Sequence, residues 1–338
     1  MVVENANDEF TPKIAVVGVG GQGSNLVTRL FNSGMQSAEI IAMNTDLAHL
    51  NKVTRAHKKI LLGKEITNGL GAGGYPEVAA KCADASRAEI EKALEGYDLV
   101  FLCAGMGGGT GTGATPIVAR IAKEQGSTVI GAVTYPFALE RSRKQKADWG
   151  IEMLSREVDT LIPIENEKLL SYVPNLPIEK AFALVDNIVG NAVKGIADTI
   201  MLPSLINLDF ADLRSIVRNG GIAVISIGNG SGPDRVEQAI KSTRQHPLLS
   251  VDYEGAKSAL VHVVGGMSLT IDEATRLGNG VTEGFADDAN VIFGARMLPE
   301  LNDQIRVMSV VTGVKAKFGA KSAETPPALK IESIEEIY

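Results

Sequence analysis

Short apolar runs alternate with longer amphipathic stretches through the first half of the chain, the pattern of a parallel sheet covered by helices on both faces. KIAVVGVG (13–20), EIIAMNTD (39–46), KILLG (59–63), LVFLCAG (99–105) and STVIGAVTYPF (127–137) read as strands, each short, apolar and bounded by glycine or polar residues. NLVTRLFNSG (25–34), PEVAAKCADASRAEIEKALEG (76–96) and TPIVARIAKEQG (115–126) carry helical spacing between them. The texture then changes. IEKAFALVDNIVGNAVKGIADTI (178–200) is apolar around most of its circumference, which predicts a long helix buried between two bodies of protein, with Pro177 tolerated at its first turn and Pro203 beyond its end. After INLDFADLRSIV (206–217) come GIAVISIG, LVHVVGG, NVIFGARM and RVMSVVTGV as further strands, with helices near 233–245 and 271–284. The expected fold is α/β: a nucleotide-binding domain over 13–175, a long central helix over 176–202 and a second, smaller α/β domain over 203–318, flanked by an N-terminal extension 1–12 and a mobile tail 319–338.

Composition narrows the function classes. With 338 residues, 45% of them hydrophobic, the chain can bury one large core or two moderate ones. A net charge of −7 argues against a general nucleic-acid surface, and no basic stretch supplies a local one. Cys82 and Cys103 have neither metal-ligand nor redox spacing, which suits a reducing cytoplasm. The polar, acidic start MVVENANDEFTPK lacks the features of a signal peptide, and no run of about 18 apolar residues is present, so a cytoplasmic protein without direct membrane insertion is expected.

In folds of this class ligands collect beyond the carboxyl ends of the strands, which directs attention to GVGGQGSN, MNTD, GAGGYP, GMGGGTGTG and TYPFALER. GVGGQG (18–23) fits the GxGxxG dinucleotide fingerprint, with Asp46 near the end of the next strand. Alone it favours a nicotinamide-dependent oxidoreductase over a tight turn that binds nothing, although any phosphate-binding strand-to-helix turn wants the same glycines. GMGGGTGTG (105–113) shifts the balance, because a dinucleotide domain needs one phosphate loop and this chain offers several on one sheet edge. Successive glycines let amides point inward as an anion nest, and Thr110 and Thr112 can donate hydroxyl hydrogen bonds to phosphate oxygens. The GxxxxGK[ST] loop is absent, which sets a P-loop enzyme aside.

GGGTGTG (107–113) resembles the glycine loop of the tubulin and FtsZ family, and from residue 13 to about 318 the order of motifs is similar to its prokaryotic cell-division GTPases, as an archaeal-type or divergent bacterial member. The resemblance implies a tubulin/FtsZ-like architecture: a Rossmann-like GTP-binding domain joined by a long central helix to a second, smaller α/β domain. It also implies nucleotide contacts from Gly20, Gly21, Gln22 and Asn25, with Gln22 standing where bacterial members usually carry glycine. Further contacts are implied for Asn44, for Gly73 and Gly74, and for Gly107, Gly108, Gly109, Thr110 and Gly111. Pro136, Glu140 and Arg143 follow in TYPFALERSR, although the family commonly spaces its glutamate and arginine four apart and here Lys144 holds that position. Asn166 in ENEKLL is implied to approach the nucleotide. Phe182 and Asp186, four apart and therefore on one helical face, are implied to stack on guanine and to accept from its edge. Read without the resemblance, that pair is better taken as a core aromatic and a solvated carboxylate.

NLDFAD (207–212) resembles the family segment that reaches the nucleotide of the next subunit, which implies catalytic roles for Asn207, Asp209 and Asp212 in positioning water. The same two aspartates, three apart, suit a helix N-terminus as cap and dipole partner, and the two roles are compatible. GTP or GDP with Mg²⁺ held mainly by the phosphates, head-to-tail self-assembly and GTP hydrolysis completed in trans are what the resemblance implies, with action in the cytoplasm at the division site. A filament protein for cell shape would keep the same loops. In the tail, Leu329, Ile331, Ile334 and Ile337 within residues 328–338 suit a peptide that docks on a membrane-tethering division protein.

Overall fold

The computed structural model describes residues 11–168, 177–202, 204–206, 208–218, 220–245 and 251–316. The first half runs β1 (Ile14–Val19), α1 (Gly20–Asn32), β2 (Glu39–Asn44), α2 (Leu47–Lys52), β3 (Lys58–Leu61), α3 (Lys64–Thr67), α4 (Pro76–Ala85), α5 (Arg87–Leu94), β4 (Leu99–Gly105), α6 (Thr110–Glu124), β5 (Thr128–Tyr135), α7 (Arg141–Glu157) and β6 (Thr160–Glu165). The second runs α8 (Ile178–Met201), α9 (Phe210–Val217), β7 (Gly221–Ser231), α10 (Arg235–Arg244), β8 (Val251–Asp252), β9 (Ser258–Gly265), α11 (Ile271–Val281), β10 (Asn290–Met297), β11 (Gln304–Thr312) and β12 (Lys315–Ala316).

One ten-stranded sheet carries both halves in the order β10-β9-β11-β7-β6-β5-β4-β1-β2-β3. Every pairing from β3 to β7 is parallel, as the long apolar runs require, and β11 is antiparallel to both its neighbours. The two halves meet at a short seam: β6 pairs with β7 only through Thr160 with Gly221 and Leu161 with Ile222.

Two differences from the sequence pattern have clear causes. The expected helix over 76–96 breaks at Ser86, whose buried hydroxyl accepts from the Gly63 amide at 2.9 Å and so ties α4 and α5 to the turn after β3. The segment between β5 and α8 holds a 17-residue helix and a strand that periodicity did not reveal. In α7 the buried positions are Ala147, Gly150 and Leu154, too thin an apolar stripe to register. β6 contains Pro163, which weakens a strand assignment and is tolerated where β6 extends past its short pairing with β7.

The long helix lies where its apolar circumference predicts. Val185, Val189, Val193 and Ile196 of α8 are buried in one cluster with Leu26 and Leu30 of α1 and with Ile225, Met308 and Val310 of β7 and β11. Each such side chain contributes about 1.5–3 kcal/mol by leaving water, so α8 is a fixed strut between the halves. Separate clusters lie under α4 and α6 on one side and under α10 and α11 on the other. Both cysteines are buried and unpaired, and burial pushes their thiols up to about 11 for Cys82 and about 12 for Cys103. Among the described residues no helix is long and apolar enough to cross a membrane.

Candidate functional site

The glycine motifs run through turns directly into helix starts. α1 begins at Gly20 and α6 at Thr110, several residues earlier than their apolar periodicity suggests. Glycine-rich turns therefore aim unpaired amides beyond the carboxyl ends of β1 and β4, the arrangement that binds anions. The loops touch through bare backbone. A Cβ on Gly20 would lie 2.8 Å from the Gly111 nitrogen, one on Gly111 would lie 2.4 Å from the Gly105 oxygen, and one on Gly109 would lie 3.0 Å from the Tyr75 nitrogen. Gly21 and Gly108 have nothing within 4 Å, so their missing side chains open onto free space. Gly73, Gly74 and Gly107 adopt φ of 56°, 81° and 98°, backbone that other residues rarely take. Three of the predicted loops thus converge, some glycines serving the packing and others the opening.

The hydroxyls divide similarly. Thr110 shares a 2.8 Å hydrogen bond with Thr45 at the mouth of the loops. Thr112, expected to face phosphate, is fully buried and accepts from the Gly107 amide at 2.8 Å, so it shapes the loop instead. Gln22 fills the space beside Gly105, where an added Cβ would lie 2.1 Å from its Oε1. Asn44 is buried and its side-chain oxygen accepts from the Asp46 amide at 3.3 Å. Asp46 itself accepts from the His49 amide through Oδ1 at 2.9 Å as the N-cap of α2.

Gly21, Asn25 and Arg29 follow one another at intervals of four along α1 and so share a face. That face runs about 12 Å from the phosphate loop toward α8. At its far end the Arg29 Nε donates to Asp186 Oδ2 at 2.9 Å. Burial pushes the Asp186 carboxyl above its usual range and the guanidinium pulls it partly back. One turn earlier Phe182 meets Phe137 edge to face, with centroids 5.7 Å apart, so both predicted base contacts stand at the entry of α8. Arg29 is the residue sequence reasoning missed; its spacing from Asn25 places it on the same face of α1 but says nothing of its partner on α8.

Asn166, just past β6, is 4% exposed, and its side-chain oxygen lacks a partner among the described residues. Such a buried acceptor calls for a donor from a ligand or water. Pro136 is buried after β5. Glu140 accepts from the Phe137 amide at 3.2 Å and pairs with Arg143 at 2.5 Å, so in this state the two side chains hold one another. Lys144 lies over the Tyr135 ring, 5.7 Å from its centroid.

Asp209 and Asp212 stand apart from all of these. Asp209 caps α9, accepting from the Asp212 amide at 2.8 Å, and the Asp212 carboxylate accepts in turn from the Asp209 amide at 3.0 Å. Both readings of the spacing survive, since one oxygen of each carboxylate remains outside this box. Asn207 lies outside the described residues. Along α8, Phe182 precedes Met201 by about 29 Å, and the aspartates follow that far end. No group of three or more potential metal-binding side chains exists among the described residues. A cavity of about 460 Å³ between α8 and the second-half strands, lined in part by Asp198, His262 and Arg296, includes none of the site residues.

Residues 13–174 match the Tubulin/FtsZ family, GTPase domain, and residues 221–315 match the FtsZ family, C-terminal domain. Cell division protein FtsZ 2 of Methanocaldococcus jannaschii is 52% identical over 313 residues, 91% of this chain and 82% of that protein. Cell division protein FtsZ 2 of Haloferax volcanii is 47% identical, covering 93% and 78% of the two chains. The solved empty FtsZ dimer from M. jannaschii superposes with a TM-score of 0.84 at 40% identity, over 94% of this chain and 96% of that one.

Proposed function

The chain belongs to the tubulin/FtsZ family and carries its GTPase domain, and from that premise we propose that it is a cell-division filament protein whose GTP site is completed by the next subunit. The observation that carries this reading is the separation along α8 of the base-binding end, at Phe182 and Asp186, from the Asp209–Asp212 box. A carboxylate following the far end of a helix about 29 Å beyond Phe182 does not meet its own chain's phosphates. It meets those of a neighbour stacked head to tail.

In this scheme residues 13–175 bind the nucleotide and 203–318 supply the activating surface. The amides of residues 20–22 and 108–111 cradle the phosphates, with Thr110 and the Gly73–Gly74 turn closing the nest, while the Gly107 amide, expected among them, is held by the Thr112 hydroxyl. Asn25, Asn166 and the Glu140–Arg143 pair face the ribose and inner phosphates, while Phe182 stacks on the guanine and Asp186 accepts from its N1 and exocyclic amine. The docking subunit brings Asp209 and Asp212, with Asn207, to orient water in line with the γ-phosphate. The donor set here is amides and hydroxyls without a carboxylate cluster, so it fits a Mg²⁺ held by phosphate oxygens and waters, which would offset charge on the leaving phosphate. A head-to-tail contact that does not close on itself generates a filament, and hydrolysis then occurs only within it. The peptide 328–338, outside the described residues, is proposed to connect filaments to a membrane tether at the division site.

The test uses two disabled variants. Asp212→Asn keeps an acceptor for the cap but loses the charge; Asp186→Ala loses the base contact. Each alone should retain under a tenth of GTP turnover, and their mixture should recover a substantial part of it, because half of the mixed interfaces pair an intact nucleotide site with an intact aspartate. A mixture as inactive as its components would defeat catalysis in trans.

A further inference from the structure

A pocket of about 270 Å³ opens at the amino ends of β5 and β6, lined by Lys123, Ser127, Thr128, Asp159, Arg214 and Arg218. Asp159 is fully engaged: one oxygen accepts from Lys123 Nζ at 2.8 Å and the other from the Val129 amide at 2.8 Å. Lys123 is thereby neutralised. Arg214 and Arg218, one turn apart at the end of α9 and both exposed, form no ion pair among the described residues. Two uncompensated guanidiniums over a polar pocket are unusual on a chain of net charge −7, and they suit carboxylate or phosphate oxygens.

β11 ends beside this pocket, and from there Lys315 and Ala316 pair with Asp252 and Val251 of β8. The Thr312 hydroxyl at the end of β11 donates to Ile216 O at 3.4 Å, Thr160 Oγ1 donates to Val217 O at 2.5 Å, and the Gly220 amide donates to Asp159 O at 3.1 Å. The end of β11, the start of β6 and the end of α9 therefore form one wall, and Ala316 follows Thr312 by four residues, at most about 14 Å of chain. Eleven residues, 317–327, lie between Ala316 and residue 328, a length that a flexible chain would spread over about 18 Å root-mean-square. Beyond them, residues 328–338 carry Glu332, Glu335 and Glu336 against Lys330 alone. We propose that this acidic C-terminal segment docks in cis on the Arg214–Arg218 pocket of its own chain. The short tether holds the local concentration of the segment near millimolar, so individually weak ion pairs suffice. A tether protein that captures residues 328–338 would then have to displace them from the pocket.

Zero-length carbodiimide coupling of the full chain with GDP, read by mass spectrometry, tests this without any requirement for assembly or turnover. Expected, in competition with the Lys123–Asp159 amide that their ion pair favours, is an amide between Lys123 and Glu332, Glu335 or Glu336, formed within single chains when isotope-labelled and unlabelled protein are mixed. Arg214→Ala with Arg218→Ala should lower its yield roughly fivefold or more, the loss of two exposed ion pairs. Circular dichroism and GDP binding confirm that the variant is folded. A tail that couples equally to lysines elsewhere, a yield unchanged in the double variant, or coupling only between different chains would overturn docking in cis. Displacement by millimolar inorganic phosphate, but not by chloride at equal ionic strength, would show the tail carboxylates to be held by the same guanidiniums that take an oxyanion and would support the docking.

Discussion

Arg29 and Asp186 lie 157 positions apart and meet at 2.9 Å, and this contact decides how the base end of the site behaves. A carboxylate must be ionised to accept from guanine, yet burial raises the Asp186 pKa and only Arg29 opposes that rise. Arg29→Met should therefore weaken GTP binding by roughly tenfold or more, the worth of a charge-assisted hydrogen bond. The loss should deepen as pH falls, since the affinity of both proteins disappears as pH drops through the raised pKa and the variant's lies higher still. Fluorescent GTP titrations from pH 5.5 to 8 measure this; parallel pH curves would remove Arg29 from the account. Conversely, an ionised Asp186 costs the empty fold stability as pH rises through that pKa, so Asp186→Asn should melt higher at pH 8 while losing preference for guanine. At this scale the sequence was legible where partners are close: Phe182 and Asp186 share a face because they are four apart. Arg29 was not, because α1 and α8 are brought together only by packing, and Thr112 was misread because hydroxyl chemistry alone does not say whether the hydroxyl faces inward.

Among the elements, α8 was readable from its apolar circumference, whereas α7 and β6 were hidden by a thin stripe and by Pro163. Gly107–Gly109 do form a turn, as expected, but Gly20, Gly21 and Gly23 fall in the first turn of α1 and Gly111 and Gly113 in that of α6, since glycine's poor helix propensity masks a helix that tertiary contacts enforce. The far end of α8 is fixed to β9 through Thr199, whose hydroxyl lies 3.1 Å from His262 Nδ1. Burial, with a smaller push from the Arg296 charge, lowers the His262 pKa to about 4. The unfolded chain takes up that proton near pH 6.5 and the native chain does not, so this stability is complete above about pH 6.5 and is lost as pH falls toward 4. About 2 kcal/mol should vanish between pH 7 and pH 5. Urea titrations of the parent and of His262→Gln check it: the variant should be less stable at pH 7 and should lack this part of the pH slope.

For the whole molecule, the sequence disclosed two α/β halves and a linking helix but not that one sheet runs through both. Strand order is set by which edges remain free after helices cover the faces, and no local pattern encodes it. The consequence lies at the seam between β6 and β7. Where β4 and β5 share seven paired positions, β6 and β7 share two, so a sheet that is stiff on either side has a compliant joint in the middle. Hydrogen exchange should find Gly221 and Ile222 exchanging well before the amides of β4, and equal protection would show the joint to be as firm as its flanks. In a filament each subunit would then act as a jointed link, letting curvature be shared between the contacts that hold subunits together and the bodies of the subunits themselves.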